Sequence, residues 1–281
     1  VLLLTPYYFE IISPAKPKER KQILSNKREP IYEEPTQKED PFVPLFDHKK
    51  TVITIETPLY VAKISNRFGG SFESFKLKKY LMADSSLVDL IDSLNTKNLV
   101  LSFVNINGSD VILDGNWLVD TEETYIEINS LFELRYTAKY NGSLIYKTLK
   151  FDSNSYVVDS NLDLSQVSSY ISGDVFSYSW HGGLPSTENN KKDEATFFNG
   201  YVYQGKDSYA FNKAVKDLKQ GTSLKKNIIR GKTEWTSIRS KYFISTLIPE
   251  KEVNICWASL KDTKQNDVSF PKYSMGIGLE K

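Results

Sequence analysis

Residues 133–151 read ELRYTAKYNGSLIYKTLKF, and this stretch decides the fold class. Two runs rich in β-branched and aromatic residues flank Asn141-Gly142. Because both turn residues tolerate positive φ, Asn-Gly between such runs is the strongest short-range signal for a β-hairpin. A second turn is expected at residues 152–155, and residues 156–164 have the composition of a third strand. The stretch therefore predicts an antiparallel meander.

Strand-like runs continue on both sides of this meander. Upstream, residues 51–57, 59–65 and 71–77 are typical of strands, and Gly69-Gly70 predicts a turn before the last of them. Residues 86–94 carry leucine and isoleucine at helical spacing and predict one short helix. Further strands are expected at residues 174–180, 196–203, 234–238, 242–248 and 254–260. Closely spaced strands with few short helices between them predict a mainly β fold, a large antiparallel sandwich.

The composition agrees with a folded, strand-rich chain. Of 281 residues, 40% are hydrophobic and 25% charged, which excludes wholesale disorder, and 13% are aromatic, which favours strands. The 36 Lys and Arg against 35 Asp and Glu give a net charge of +1, which argues against a nucleic-acid binder. A single cysteine excludes an intramolecular disulfide and a cysteine-based zinc site.

The first 48 residues differ in character from the rest of the chain. Residues 1–12 begin with the apolar run VLLLTPYYF, which is too short to cross a bilayer. It is either the end of a truncated transmembrane helix, with its aromatic residues at the lipid–water boundary, or a strand or frayed end. Residues 13–48 contain six of the eleven prolines and many charges, and we expect an extended or disordered linker. The folded domain is then residues 49–281.

The search for catalytic chemistry is mostly negative. The sequence contains no glycine-rich phosphate loop, HExxH or GxSxG motif, so we assign no catalytic residue, cofactor or metal ligand. His181 lies in a predicted loop with Glu188 nearby and is a stronger acid–base candidate than His48, although a lone histidine in a loop is usually just a polar surface residue. Trp180 and Trp235 fit the core or the wall of a sugar or peptide groove. These four residues are our candidate cleft or loop contacts.

Three segments carry a resemblance to a known family. They are residues 64–73 (ISNRFGGSFE), the hairpin region at 136–163, and residues 235–249 (WTSIRSKYFISTLIP). The loop at residues 182–189 (GGLPSTEN) also matches a variant of that family. By their order and spacing, the segments from Leu59 onward resemble the periplasmic domain of the bacterial membrane protein insertase YidC, in the YidC/Oxa/Alb family.

The resemblance implies a β-supersandwich similar to galactose mutarotase. It further implies that residues 1–12 end a first transmembrane helix, that the domain lies in the periplasm at the bacterial inner membrane, and that the family's C-terminal helical segment is missing. The family inserts and folds inner-membrane proteins, alone or with the Sec translocon. The implied partners are nascent membrane proteins and Sec components, with a membrane anchor and no nucleic acid. The family's insertase groove lies outside this sequence, so the implied role is accessory and non-enzymatic, without a cofactor.

Two other functions compete with this interpretation. The sandwich architecture also fits a carbohydrate-binding or aldose-epimerase-like protein, although fold alone does not transfer function. An epimerase needs an acid and a base converging in an open cleft, and only His181 and His48 supply an imidazole. The third candidate is a lipid-tethered or secreted adhesion module.

Overall fold

The computed structural model describes residues 48–93, 97–210, 223–265 and 268–280. The predicted helix end at residues 1–12 and the predicted linker, apart from its last residue His48, lie outside the described residues. In the part of the chain that the structure describes, no helix has the length and apolar character needed to span a membrane.

The described residues form eighteen strands and two short helices. In chain order the strands are β1 (Val52–Glu56), β2 (Tyr60–Ser65), β3 (Ser71–Leu81), β4 (Leu87–Asp89), β5 (Val100–Asn105), β6 (Asp110–Ile112), β7 (Leu118–Val119), β8 (Tyr125–Glu127), β9 (Leu131–Tyr140), β10 (Ser143–Asp152), β11 (Val158–Asp163), β12 (Ile171–Trp180), β13 (Asn199–Gln204), β14 (Asp207–Ala210), β15 (Ser223–Arg239), β16 (Ile244–Leu247), β17 (Val253–Gln265) and β18 (Val268–Glu280). A 3₁₀ helix covers Ser165–Tyr170, and the α-helix α1 covers Lys191–Ala195.

The strands build three sheets. The five-stranded sheet has the order β4-β3-β2-β1-β8, and the four-stranded sheet has the order β11-β10-β9-β7. The nine-stranded sheet has the order β14-β13-β15-β17-β18-β12-β5-β6, with β16 added on β15. Neighbouring strands are antiparallel, apart from the parallel pair of β1 and β8. The mainly β, antiparallel architecture predicted from the sequence is confirmed.

The hairpin predicted around Asn141-Gly142 is present as β9 and β10. Tyr140 pairs with Ser143 across Asn141-Gly142, and the two turn residues have φ of 47° and 85°. Such positive values at both positions are those that a two-residue hairpin turn requires. β11 then pairs antiparallel with β10, which completes the predicted meander.

The Gly69-Gly70 turn between β2 and β3 is fixed by packing as well as by backbone conformation. Both glycines have positive φ, 69° and 92°. A Cβ on Gly69 would lie 2.7 Å from the Trp117 ring, and one on Gly70 would lie 2.7 Å from the Tyr136 ring. The turn therefore packs directly against buried aromatic rings, one of which belongs to the four-stranded sheet.

One hydrophobic core draws on all three sheets. β10 shows the underlying pattern, because Ile145, Lys147, Leu149 and Phe151 are buried while the residues between them are not. This is the two-residue period of a strand with one face on the core. Cys256 is also buried in the core, where a cysteine behaves as a small apolar residue.

The helix predicted at residues 86–94 is wrong in its described part. Leu87–Asp89 forms β4 and pairs with β3, with Val88 opposite Leu77. The Asp89 carboxylate accepts hydrogen bonds from Ser74 Oγ (2.6 Å) and from the backbone N–H of Phe75 (2.8 Å). An aspartate that bonds to a neighbouring strand in this way offers the backbone an alternative to a helix.

Candidate functional site

The end of β12 and the loop after it contain three of the four candidate contact residues. Trp180 ends β12, and its buried ring lies 6.4 Å from the Phe72 ring. His181 follows, and its backbone N–H donates to Lys97 O at 2.9 Å. The His181 ring is held from two sides, because Nε2 lies 3.0 Å from Ser179 Oγ and the ring centroid lies 5.5 Å from that of Trp257. The imidazole is therefore fixed against the sheet.

Glu194 of α1 organises the rest of this loop. Its side chain is fully buried, and its carboxylate accepts hydrogen bonds from Ser186 Oγ, from Thr187 N (2.9 Å) and Oγ1 (3.1 Å), and from Glu188 N (3.3 Å). A buried carboxylate needs such donors to offset the loss of water. Glu188 is thus positioned through its main chain, and the loop and helix form one hydrogen-bonded unit.

A small cavity of about 130 Å³ lies beside this loop. Its wall includes Leu184, Pro185, Ser186, Lys191 and the Lys272–Asp92 ion pair. The four candidate residues do not belong to this wall. The cavity has room for a few water molecules, and its two ammonium groups and one carboxylate do not make a convergent acid–base pair. Within the described ranges, no group of three or more His, Cys, Asp or Glu side chains is placed to hold a metal ion.

Trp235 lies apart from the loop, in β15. It is directly opposite Tyr203 of β13, and the two rings are parallel within 2° with centroids 5.3 Å apart. Both side chains are half-buried. This is a cross-strand aromatic pair of the kind that stabilises sheets. The structure therefore brings Trp180, His181 and Glu188 into one segment, whereas Trp235 contributes to sheet pairing elsewhere.

Sequence reasoning missed Lys147, the most unusual polar residue of the described chain. It is fully buried in β10, and Nζ donates to the backbone carbonyl of Leu99 at 2.7 Å, of Phe68 at 3.3 Å and of Gly70 at 3.5 Å. Nζ also lies 5.1 Å from the centre of the Tyr178 ring. Burial holds the pKa of the Lys147 ammonium well below its ordinary value.

These contacts place one amine where the three sheets meet. Lys147 belongs to the four-stranded sheet, and Phe68 and Gly70 belong to the turn of the five-stranded sheet. Leu99 leads into β5, and Tyr178 lies in β12, both in the nine-stranded sheet. The signal was present in the sequence, because Lys147 shares the inward period of Ile145 and Leu149.

The family of the chain follows from its match to known domains. The family described as "YidC periplasmic domain" matches residues 52–277, from the first residue of β1 into β18. The chain belongs to the YidC periplasmic domain family. This membership confirms the resemblance seen in the sequence, and it assigns the strand-rich body to the periplasmic side of a bacterial inner-membrane protein.

Curated relatives of this YidC periplasmic domain carry the name "Membrane protein insertase YidC". The relative from Chlorobaculum parvum is 27% identical and is matched over 81% of this chain and 38% of its own length. The Chloroherpeton thalassium relative is 24% identical over 100% of this chain and 50% of its own length. The Maridesulfovibrio salexigens relative is 27% identical over 80% of this chain and 41% of its own length. The chain thus spans half or less of the length of these relatives.

The same matches bear on the competing functions. These relatives carry the insertase name, and they give the carbohydrate-binding and epimerase alternatives no support. In the described part of the YidC periplasmic domain, His181 bonds to a serine hydroxyl and packs on a tryptophan.

Proposed function

We propose that this chain is a non-enzymatic, accessory periplasmic domain of a membrane protein insertase. One observation carries the proposal: the YidC periplasmic domain match covers residues 52–277, and the relatives matched over most of the chain are insertases by name. The domain would help insert and fold inner-membrane proteins, with nascent membrane proteins and Sec translocon components as its partners.

The geometry of the body supports an accessory role. In the described residues, the buried ionisable side chains of Lys147 and Glu194 bond to the protein's own backbone and side chains. Such groups stabilise one arrangement of sheets and loops. Trp180, His181, Glu188 and Trp235 remain our candidate cleft or loop contacts.

The proposal extends to the membrane connection. Residues 1–12 would be the end of a transmembrane helix, and residues 13–48 the tether that leads to the folded body at 49–281. A helical segment that completes the domain would follow the present sequence. The apolar start and the proline-rich, charged composition of the first 48 residues support this arrangement.

The test is deletion of residues 52–277 from the full-length membrane protein. An accessory domain predicts that the truncated protein still inserts a small single-span client into membrane vesicles, at a reduced rate. Complete loss of insertion by a truncated protein that is present and correctly anchored would contradict the accessory role. A sugar-converting activity of the intact chain would instead revive the carbohydrate alternative.

A further inference from the structure

β16 (Ile244–Leu247) is an outer strand that carries no charge. Of the described strands, only β15 pairs with it. Five of the other short outer strands carry acidic residues within the strand, namely Asp89 in β4, Asp110 in β6, Glu127 in β8, Asp159 and Asp163 in β11, and Asp207 in β14, whereas the outer strand β7 is also uncharged but only two residues long. β16 reads Ile-Ser-Thr-Leu and has no charge. Proteins guard sheet edges with charges, bulges, proline or short strands. β16 is short and Pro249 follows two residues after it, but the strand itself contains neither a charge nor a proline, so its four residues are open to pairing.

The hairpin that precedes β16 fixes the direction of its main-chain groups. The backbone N–H of Ser240 donates to Phe243 O at 2.8 Å and closes the β15–β16 turn. In an antiparallel pair of strands, directly opposite residues alternate between hydrogen-bonded pairs and non-hydrogen-bonded pairs. In a non-hydrogen-bonded pair, the main-chain N–H and C=O groups point away from the partner strand. Because Ser240 and Phe243 form a hydrogen-bonded pair, the non-hydrogen-bonded pairs are Arg239 with Ile244 and Ser237 with Thr246. The N–H and C=O groups of Ile244 and Thr246 point away from β15, which is the one described strand that pairs with β16.

Apolar side chains surround this edge. Tyr242, Ile244 and Ile248 are 62%, 55% and 69% exposed. Beside the turn, the Phe243 ring packs edge-to-face on Tyr80 of β3, with centroids 5.7 Å apart. The edge thus combines outward-pointing backbone groups with exposed apolar side chains. An extended polypeptide can pair its own N–H and C=O groups with the former and pack apolar side chains on the latter.

We propose that β16 is a docking edge for an extended, uncharged segment of another protein, which pairs with Ile244 and Thr246 as an additional strand. This proposal rests on the proposed function, because it names how a client or partner chain would be held. Main-chain pairing accepts segments of many sequences, as an insertase with varied clients requires.

The size of the edge favours a transient partner over a second copy of the chain. Four residues span about 13 Å and offer about four main-chain hydrogen bonds. That contact is far smaller than the roughly 1,200–2,000 Å² that a stable protein interface buries. The segment would therefore bind weakly and reversibly.

The test is a titration of the isotopically labelled 281-residue chain, followed by NMR. The probe is the capped peptide Lys-Thr-Val-Thr-Val-Thr-Val-Thr-Lys, with lysines at its ends for solubility. Saturable shifts and slowed hydrogen exchange are expected at the Ile244 and Thr246 amides. Thr246→Pro removes an N–H that points away from β15, so the fold tolerates it and peptide binding weakens by roughly tenfold. The matched control Thr246→Val keeps that N–H and keeps the affinity.

A second variant makes the test independent of the proline. Thr246→Lys retains the N–H but adds the charge that guards other edges, and it too should weaken binding. Shifts confined to other strands, or equal affinity of all variants, would overturn the proposal. Shifts that depend on protein concentration without peptide would also overturn it, in favour of self-pairing. The deletion experiment tests the insertase role separately, so the two failures are distinguishable.

Discussion

Lys147 Nζ donates a 2.7 Å hydrogen bond to the carbonyl oxygen of Leu99 and thereby joins the four-stranded sheet to the chain entering the nine-stranded sheet. The same amine reaches two carbonyls of the β2–β3 turn. A single side chain thus replaces the water that three buried carbonyl groups would otherwise need. Both the stability of the fold and its dependence on pH should therefore depend on Lys147.

Lys147→Met should destabilise the fold, although it removes the cost of burying an amine. Methionine fills similar space but donates nothing, so the carbonyls of Leu99, Phe68 and Gly70 lose a partner. We expect a loss of about 2–4 kcal/mol in the free energy of unfolding, measured with urea. The control is Lys150→Met on the exposed face of the same strand, which should change little. Equal stability of both variants would contradict the role of Lys147.

The stability that Lys147 confers should rise with pH. Burial lowers the pKa of Lys147 in the folded state below the ordinary 10.5. At a pH between the folded-state pKa and 10.5, Lys147 is therefore protonated in the unfolded chain and neutral in the folded one. The free energy of unfolding therefore increases as pH rises through that window, by at most about 1.4 kcal/mol per pH unit. The measurement compares the wild type with Lys147→Met from neutral pH to pH 10. A difference that stays constant or shrinks would rule this out.

Gly70→Ala should be far more damaging than Gly142→Ala. Both glycines have positive φ, 92° and 85°, so both substitutions carry a similar backbone cost of about 1 kcal/mol. Only at Gly70 would the new Cβ meet packed atoms, 2.7 Å from Tyr136 and 2.8 Å from Leu149. We expect an additional loss of about 1–3 kcal/mol there, measured by thermal unfolding. Similar melting temperatures for the two variants would argue against the tight packing of this turn.

Glu194→Gln should loosen the loop after β12. The carboxylate accepts from Ser186, Thr187 and Glu188, whereas an amide turns two of its own hydrogens toward those donors. Hydrogen exchange at the Thr187 and Glu188 amides should accelerate by roughly tenfold or more, while the sheets stay protected. Glu188→Gln is the control, because Glu188 takes part in this network through its main-chain N–H. Unchanged exchange in Glu194→Gln would show that the loop is held by other contacts.

His181→Ala should leave membrane-protein insertion unchanged. In an accessory domain without acid–base chemistry, the imidazole contributes packing on Trp257 and a bond to Ser179, and neither acts on a client. The measurement is the amount of client inserted by the full-length protein carrying the substitution. A large defect in a variant that folds normally would point to a direct role for His181.

The sequence predicts the elements that depend on local signals. Asn141-Gly142 determines its hairpin through backbone conformation alone, and the alternation in β10 needs only a two-residue period. β18 escaped prediction because Gly276, Gly278 and Pro271 are poor strand residues. The structure explains Gly276, since the Trp257 ring occupies the space that a Cβ would take, 2.3 Å away.

The candidate site was predictable only in part. The loop that contains His181 was expected after a strand, and the structure places it there. Glu194 gave no sequence signal, because its hydrogen bonds depend on the path of a loop that begins before α1. Lys147 was visible as an inward position of β10, but its three acceptors come from segments 48 to 79 residues away. Such partners are known only once the chain is folded.

The strand order of the nine-stranded sheet also determines when that sheet can close during synthesis of the chain. β18 lies between β17 and β12, so the half-sheet made by β12, β5 and β6 has no link to the rest until β18 arrives. During synthesis from the amino end, the β12 edge that pairs with β18 therefore stays open while residues 181–267 are made. The domain passes through an incompletely closed state, in which shielding by a chaperone would matter most.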